Sequence, residues 1–270
     1  MSLPVRDRAV RELVARFHFS LCLTFGRLLQ SASYSRATIV EQDGERQVRK
    51  RRAFHAPILV WLGGPLLRIL DTGVRVLPRR QWEERERMLY RSLRSSSVRA
   101  DADGTLVLPC LTGETLATLL DDPAREAGVR KRAIELAVVA LAQLHRLGIS
   151  HGDAMAENVM VDLDAGVAHW FDFETMHDPV RPMAWRRADD LRALLATCLL
   201  RTTPEQLAGT LHLVVDLYAN GETTRLLAAH FTTTLRRPLA FHLGQAPLSL
   251  QCYRSIDRLL KARIGEQTTT

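Results

Sequence analysis

His151-Gly152-Asp153-Ala154-Met155-Ala156-Glu157-Asn158, with Phe171-Asp172-Phe173-Glu174 downstream, sets an acid, a carboxamide and a second acid in the order that phosphoryl transfer uses. The Asp of an H-x-D-x-x-x-x-N loop can accept the proton of an attacking hydroxyl, so Asp153 is the expected base. Asn158 and Asp172 offer hard oxygen ligands to a Mg²⁺ ion bridging nucleotide phosphates. Such chemistry also needs a cation on the phosphates, and the search for it leads upstream.

Of the 37 basic residues only Lys50, Lys131 and Lys261 are lysines. Lys50 lies in Gln47-Val48-Arg49-Lys50, on a strand of the pattern Arg36 to Gln42, Asp43-Gly44 turn, Glu45 to Arg52, in which Asp-Gly marks a tight hairpin. Downstream, Gln81 to Arg94 reads as a helix whose buried stripe is Trp82, Leu89 and Leu93, and Glu86 falls on that stripe. A carboxylate on a buried face requires a partner. A Lys50–Glu86 ion pair satisfies both groups and would hold Lys50 on the α- and β-phosphates; the bland alternative leaves Glu86 reaching solvent and Lys50 one more charge of a basic edge strand.

Asp190 shares a helix face with Leu194, Thr197 and Cys198. Its expected task is to accept hydrogen bonds from the backbone around His151 to Asp153; the alternative is a carboxylate near a helix N-terminus. His145 and His151 are six apart and separated by Gly148, a poor spacing for one metal, so both read as framework histidines. Asp162 and Asp164 flank a hairpin turn completed by Gly166. Ser31-Ala32-Ser33 forms a loop of small residues that would let backbone N–H groups approach phosphate, although glycines are absent there.

The remaining pattern gives an amphipathic helix over 5–19, a strand over 25–30, two strands around Asp103-Gly104 within 98–110, and a hinge at Leu111-Thr112-Gly113-Glu114. Helices follow over 129–147, 187–200, 204–218, 223–236 and 248–264. A strand-rich first part and a helix-rich remainder define an α+β fold, divided into an extension (1–24), a nucleotide-binding part (25–112) and a helical part (113–270). Cys22, Cys110, Cys198 and Cys252 are scattered, which suggests neither zinc site nor disulfide framework. The apolar run Phe17 to Leu29 after four arginines mimics a secretory signal but is short and interrupted, and no stretch approaches the roughly 20 apolar residues of a transmembrane helix. The expectation is a cytoplasmic protein. A net charge of +7 suits anionic partners, with peripheral membrane contact through the N-terminal segment and RNA contact through Arg46 to Arg52 as candidates.

Taken together, Val48-Arg49-Lys50, Glu86, His151-Gly152-Asp153 with Asn158, and Asp172-Phe173-Glu174 resemble the protein-kinase-like superfamily over about residues 25 to 230. The resemblance implies a two-lobed fold, with an antiparallel sheet lobe and a helical lobe. The details resemble its atypical branch. Gly152 stands where an arginine is usual, no A-P-E follows Asp172, and Met155 stands where many members carry lysine. Leu144-His145 looks like the aminoglycoside and choline phosphotransferases. His55-Ala56-Pro57 looks like the small kinases associated with tRNA threonylcarbamoylation and their RIO relatives, and Trp82 to Leu93 like lipopolysaccharide-core kinases.

The implied activity is transfer of the γ-phosphate of ATP, with Mg²⁺ or Mn²⁺, to a hydroxyl acceptor. The first expectation for that acceptor is Ser or Thr of a protein; the alternatives are a small-molecule hydroxyl, such as a lipopolysaccharide sugar or an aminoglycoside, and a pseudokinase or ATP-dependent binding module. The site expected is Asp153, Lys50 and Glu86 for catalysis, Ser31, Ala32, Ser33 and Lys50 for the nucleotide, Asn158 and Asp172 for metal, and His151 and Asp190 for support.

Overall fold

The computed structural model describes residues 35–42, 44–53, 73–94, 98–218, 220–236 and 250–268. The predicted helix over 5–19, the strand over 25–30, the Ser31-Ala32-Ser33 loop and His55-Ala56-Pro57 lie outside these residues.

Strands β1 (Ser35–Gln42) and β2 (Glu45–Arg52) form an antiparallel hairpin in which Gln42 faces Glu45 and Ser35 faces Arg52. Gly44 completes the turn with a φ of 77°, a conformation glycine adopts without steric cost. Strand β1 thus begins at Ser35, one residue before the expected start at Arg36. After β3 (Val74–Val76) and helix α1 (Arg79–Arg94) come β4 (Arg99–Ala100) and β5 (Leu106–Pro109), giving a four-stranded antiparallel sheet of order β1-β2-β5-β4. Because side chains alternate along a strand, Val48, Lys50 and Arg52 share one face. Lys50 pairs in register with Leu106 and Val48 with Leu108. Both leucines are buried with Leu77, Trp82 and Tyr90 in a small apolar cluster under α1.

The chain then turns through Gly113 into β6 (Glu114–Thr115), α2 (Leu116–Asp121) and α3 (Ala127–Arg146). A second hairpin, β7 (Val159–Asp162) and β8 (Val167–Trp170), joins β6 in a three-stranded antiparallel sheet. Then come β9 (Thr175–His177), which pairs with β3, and α4 (Met183–Leu199), α5 (Leu207–Tyr218), α6 (Gly221–Arg236) and α7 (Leu250–Thr268). The fold of the described residues is α+β with seven helices and antiparallel sheets.

The main core lies among the helices. Ala133, Ala137, Leu141 and Leu144 form the buried stripe of α3 and pack with Leu191, Leu194 and Leu195 of α4, Phe231 of α6 and Tyr253 and Ile256 of α7. Helix α4 is buried on all sides from Ala188 to Leu199, as a central helix must be. It begins four residues before the predicted start at Arg187, after Pro182 in an extended conformation with ψ 148°. Proline pre-sets the entry to a helix, and here it leads in an opening turn, Met183-Ala184-Trp185-Arg186, without the usual polar capping side chain.

Gly113 has φ 91° and faces the backbone of β7, so that an added Cβ would overlap the Val161 carbonyl. Gly113→Ala should therefore cost about 2–4 kcal/mol from backbone strain and overpacking, measurable by urea denaturation. An unchanged midpoint would show that this turn relaxes freely.

Candidate active site

Helix α1 and strand β2 meet through a buried ion pair. Lys50 and Glu86 are 6% and 0% exposed, and Lys50 Nζ donates to Glu86 Oε1 at 2.7 Å. The same ammonium donates to Asp172 Oδ1 at 2.6 Å and lies 3.3 Å from Glu174 Oε1. Trp82, fully buried one turn before Glu86, donates its indole N–H to Glu86 Oε1 at 3.3 Å and places its ring centroid 5.4 Å from Nζ. Burial alone would lower the Lys50 ammonium, but Asp172, Glu86 and Glu174 overcome it and hold it well above the ordinary lysine value. Lys50 is therefore charged throughout the neutral range.

The carboxylates divide in their response. Burial would raise the Asp172 carboxyl, yet Lys50 holds it below the usual range. Glu174 is raised, by burial first and by Asp172 second. Glu174 also accepts from the Ser35 hydroxyl and, at 3.2 Å, from Arg52. Asp172 has φ 66°, the one positive value at a non-glycine among the described residues. This conformation costs of order 1–3 kcal/mol and persists where surrounding contacts enforce it. Here the contact is with Lys50, and the Asp172 side chain remains 36% exposed.

The loop carrying Asp153 is held from below. Asp190, fully buried inside α4, accepts from the backbone N–H of His151 at 2.7 Å and of Gly152 at 2.8 Å. Its Oδ2 also lies 2.9 Å from His145 Nε2, whose other ring nitrogen meets Tyr218 Oη at 2.6 Å. Thr197 Oγ1, about two helical turns further along α4, accepts from Ala156 N at 3.0 Å. His151 is buried between Trp170 and Phe173, with Nε2 2.9 Å from the Phe171 carbonyl and Nδ1 accepting from Asp153 N at 3.2 Å. Both contacts require the neutral Nε2–H tautomer, and burial pushes this imidazole down to about 4. His145 and His151 are both framework residues, linked to the loop through Asp190 and Phe171.

Asp153 and Asn158 face each other. The Asn158 amide nitrogen donates to the Asp153 carbonyl at 2.8 Å and to its Oδ2 at 3.1 Å. Asn158 Oδ1, the atom able to ligate a hard cation, is thereby turned away from Asp153 and meets no donor among the described residues. Burial, then the charge of Asp172, raises the Asp153 carboxyl well above an ordinary aspartate, against the stabilising Asn158 bond. A divalent cation beside Asp172 would relieve that repulsion. No group of three His, Cys, Asp or Glu side chains poised for a metal occurs among the described residues. The donor set, one carboxamide oxygen and one accessible carboxylate, fits Mg²⁺ or Mn²⁺ that takes its other ligands from phosphate and water.

Several contacts escaped the sequence reading. Gly152 has φ 90°, and a Cβ there would lie 2.9 Å from the Met176 Cα on β9, so no side chain fits at this position. Arg85, the neighbour of Glu86, instead reaches the loop: its guanidinium donates to the Ser150 carbonyl at 2.8 Å and lies 5.9 Å from the Phe173 ring centroid. Nothing in an arginine-rich helix distinguishes Arg85 by pattern. The segment after Asp172 is fixed by the β3–β9 pairing, by an Arg75–Asp178 bond of 2.6 Å and by His177 against Asp189 at 3.2 Å. Asp189 is itself buried against Arg192. Asp189 and Asp190 are thus both engaged inside the fold, Asp190 by the backbone of the His151 loop and His145, Asp189 by His177 and Arg192. Ser31, Ala32 and Ser33 lie outside the described residues.

No protein-family model matches the sequence, and no curated protein matches it significantly.

His151 binds a proton in the unfolded chain below about 6.5 but in the fold only below about 4. Its contribution to stability is thus lost as pH falls through that window. Asp153 acts in the opposite sense: its raised carboxyl stays protonated in the fold where the unfolded chain has ionised, which costs stability as pH rises. Asp153→Asn removes this opposing contribution, so its unfolding free energy should climb more steeply than that of the wild type as pH rises above the ordinary aspartate range of about 4. Equal slopes in urea titrations would contradict the Asp153 assignment.

Proposed function

We propose that the protein is an ATP- and Mg²⁺-dependent phosphotransferase with a two-lobed, protein-kinase-like architecture, moving the γ-phosphate to a hydroxyl acceptor. The observation that carries this reading is the Lys50 ammonium held between Glu86 and Asp172, with Asp153 and Asn158 braced beside it. Four sequence segments converge on one place with the charges a nucleotide triphosphate requires.

In this reading Lys50, oriented by Glu86 and Trp82, turns from Asp172 to the α- and β-phosphates. Asn158 Oδ1 and Asp172 would hold a divalent cation, which would supply neutralisation of the charge developing on the transferred group. Asp153 orients the acceptor hydroxyl and takes its proton. Catalysis is then positioning and electrostatic stabilisation on a loop held rigid by Asp190 and Thr197.

For the acceptor, a Ser or Thr side chain of a protein is the first expectation. One observation favours a compact hydroxyl compound instead. Residues 175–182 are taken up by the β3–β9 pairing and one turn into α4, so the stretch on which an extended peptide would lie is short and already paired. The membrane and RNA contacts considered for this basic chain gain no further support; among the described residues no helix is long and apolar enough to cross a membrane.

Asp153→Ala should lower ATP turnover by roughly 10²–10⁴ while nucleotide affinity, carried by Lys50, changes little. Radiolabelled ATP incubated with fractionated lysate provides the turnover assay, and the fraction that takes up label separates protein from small-molecule acceptors. Near-normal turnover by the variant would overturn the role of Asp153. Absence of a thermal shift with ATP and Mg²⁺ in the wild type would overturn the phosphotransferase reading itself.

A further inference from the structure

We propose that Lys50 and Arg52 form a two-cation seat for phosphate, and that in the free protein the Glu174 carboxylate fills this seat as an internal anion. The proposal rests on the phosphotransferase reading and adds a phosphate-binding residue, Arg52, and a positioning residue, Glu174.

Residues 50 and 52 are next but one on β2, so both side chains leave the same face of the sheet. They grip opposite oxygens of one carboxylate. Lys50 Nζ is 3.3 Å from Glu174 Oε1, and Arg52 donates to Glu174 Oε2 at 3.2 Å. A third donor, the Ser35 hydroxyl at the head of β1, closes on Oε1. Two cations converging on an oxyanion are the chemistry that holds a phosphate group, whereas the Ser35 bond ties Glu174 in place.

Arg52 is built to stay in place. Its guanidinium lies 4.9 Å from the Trp82 ring centroid, and a second nitrogen donates to the Leu77 carbonyl at 2.5 Å. Both the fork and its orientation are therefore fixed before any ligand arrives. Glu174 is the more replaceable partner. It sits two residues from Asp172, and the same ammonium serves Asp172, Glu86 and Glu174 together. An incoming polyphosphate offers the two cations a stronger acceptor and frees Glu174 from this crowding. Ser35 adds a mechanical element: while Glu174 holds it, the start of β1 is tied to the metal-binding loop across the position the phosphates would take. Phosphate entry then unties strand from loop.

Affinity for ATP in the presence of EDTA, measured by calorimetry, isolates this competition from any metal ligation by Glu174. Glu174→Gln should bind metal-free ATP about tenfold more tightly than wild type and Arg52→Gln about tenfold more weakly. Ser35→Ala changes no charge and should also tighten binding, by about threefold, because the tie is lost. Equal or weaker binding by Glu174→Gln overturns the proposal. So does tightening by Glu174→Gln with Ser35→Ala unchanged, which would reduce the effect to net charge, and so does an Arg52→Gln variant of wild-type affinity. In each of those cases the wild type still binds ATP and the phosphotransferase reading stands. If neither wild type nor Glu174→Gln binds ATP, with or without Mg²⁺, both fall together.

Discussion

A single ammonium group, Lys50 Nζ, sits under the sheet with three carboxylates around it, and the arrangement of the surrounding elements follows from that. A buried cation in contact with no anion would lose several kcal/mol of solvation. Glu86, wholly buried on α1, would incur the same cost alone, and Trp82 contributes only one hydrogen bond to it. The two groups can be buried only together, which fixes α1 against β2. Asp172 then completes the set from 122 positions away in the chain, which fixes the loop after β8 against both. The surplus of negative charge that results is tolerable because Arg52 stands beside Glu174, and because the Asp172 side chain keeps a route to solvent.

How much of this was legible in the sequence depended on whether the signal was local. Glu86 on the stripe of Trp82 and Leu89 broke a 3.6-residue pattern in a way that demanded a partner, and the scarcity of lysine singled out Lys50. Asp190 stood out for the same reason among Leu194, Thr197 and Cys198. The Asp43-Gly44 and Asp164 to Gly166 turns announced their hairpins by chemistry that a turn needs within four residues. Arg85 was invisible because its partner, the Ser150 carbonyl, is a backbone group that every residue possesses. The β3–β9 pairing was invisible too: three residues on each side carry no alternation long enough to read, and their register is set by tertiary contacts. The opening turn of α4 was missed because Pro182 replaces the side-chain cap on which a start signal depends.

Those unread contacts determine how the site can move. In a loop with an arginine at position 152, that cation would be available to a partner on the following segment. Here the backbone of β9 passes so close to Gly152 that the position is closed to any side chain. The segment is held by main-chain pairing and by His177 against Asp189, none of which a change of covalent charge would readily alter. The contacts that fix this segment at Gly152 are steric and main-chain ones.

Arg85 and Glu86 extend the same logic to helix α1. Adjacent residues on one helix, they reach in different directions: Glu86 to the lysine on the sheet, Arg85 to the carbonyl that precedes the His151 loop. Any displacement of α1 that separates Glu86 from Lys50 must also pull Arg85 from Ser150, leaving a buried ion pair and a buried guanidinium bond broken at once. The costs add because both partners of each contact lie on elements anchored elsewhere, β2 by its pairing with β5 and the loop by Asp190. The contacts of Glu86 and Arg85 are therefore coupled through α1, so that the ion pair on the sheet and the bond to the His151 loop stand or fall together.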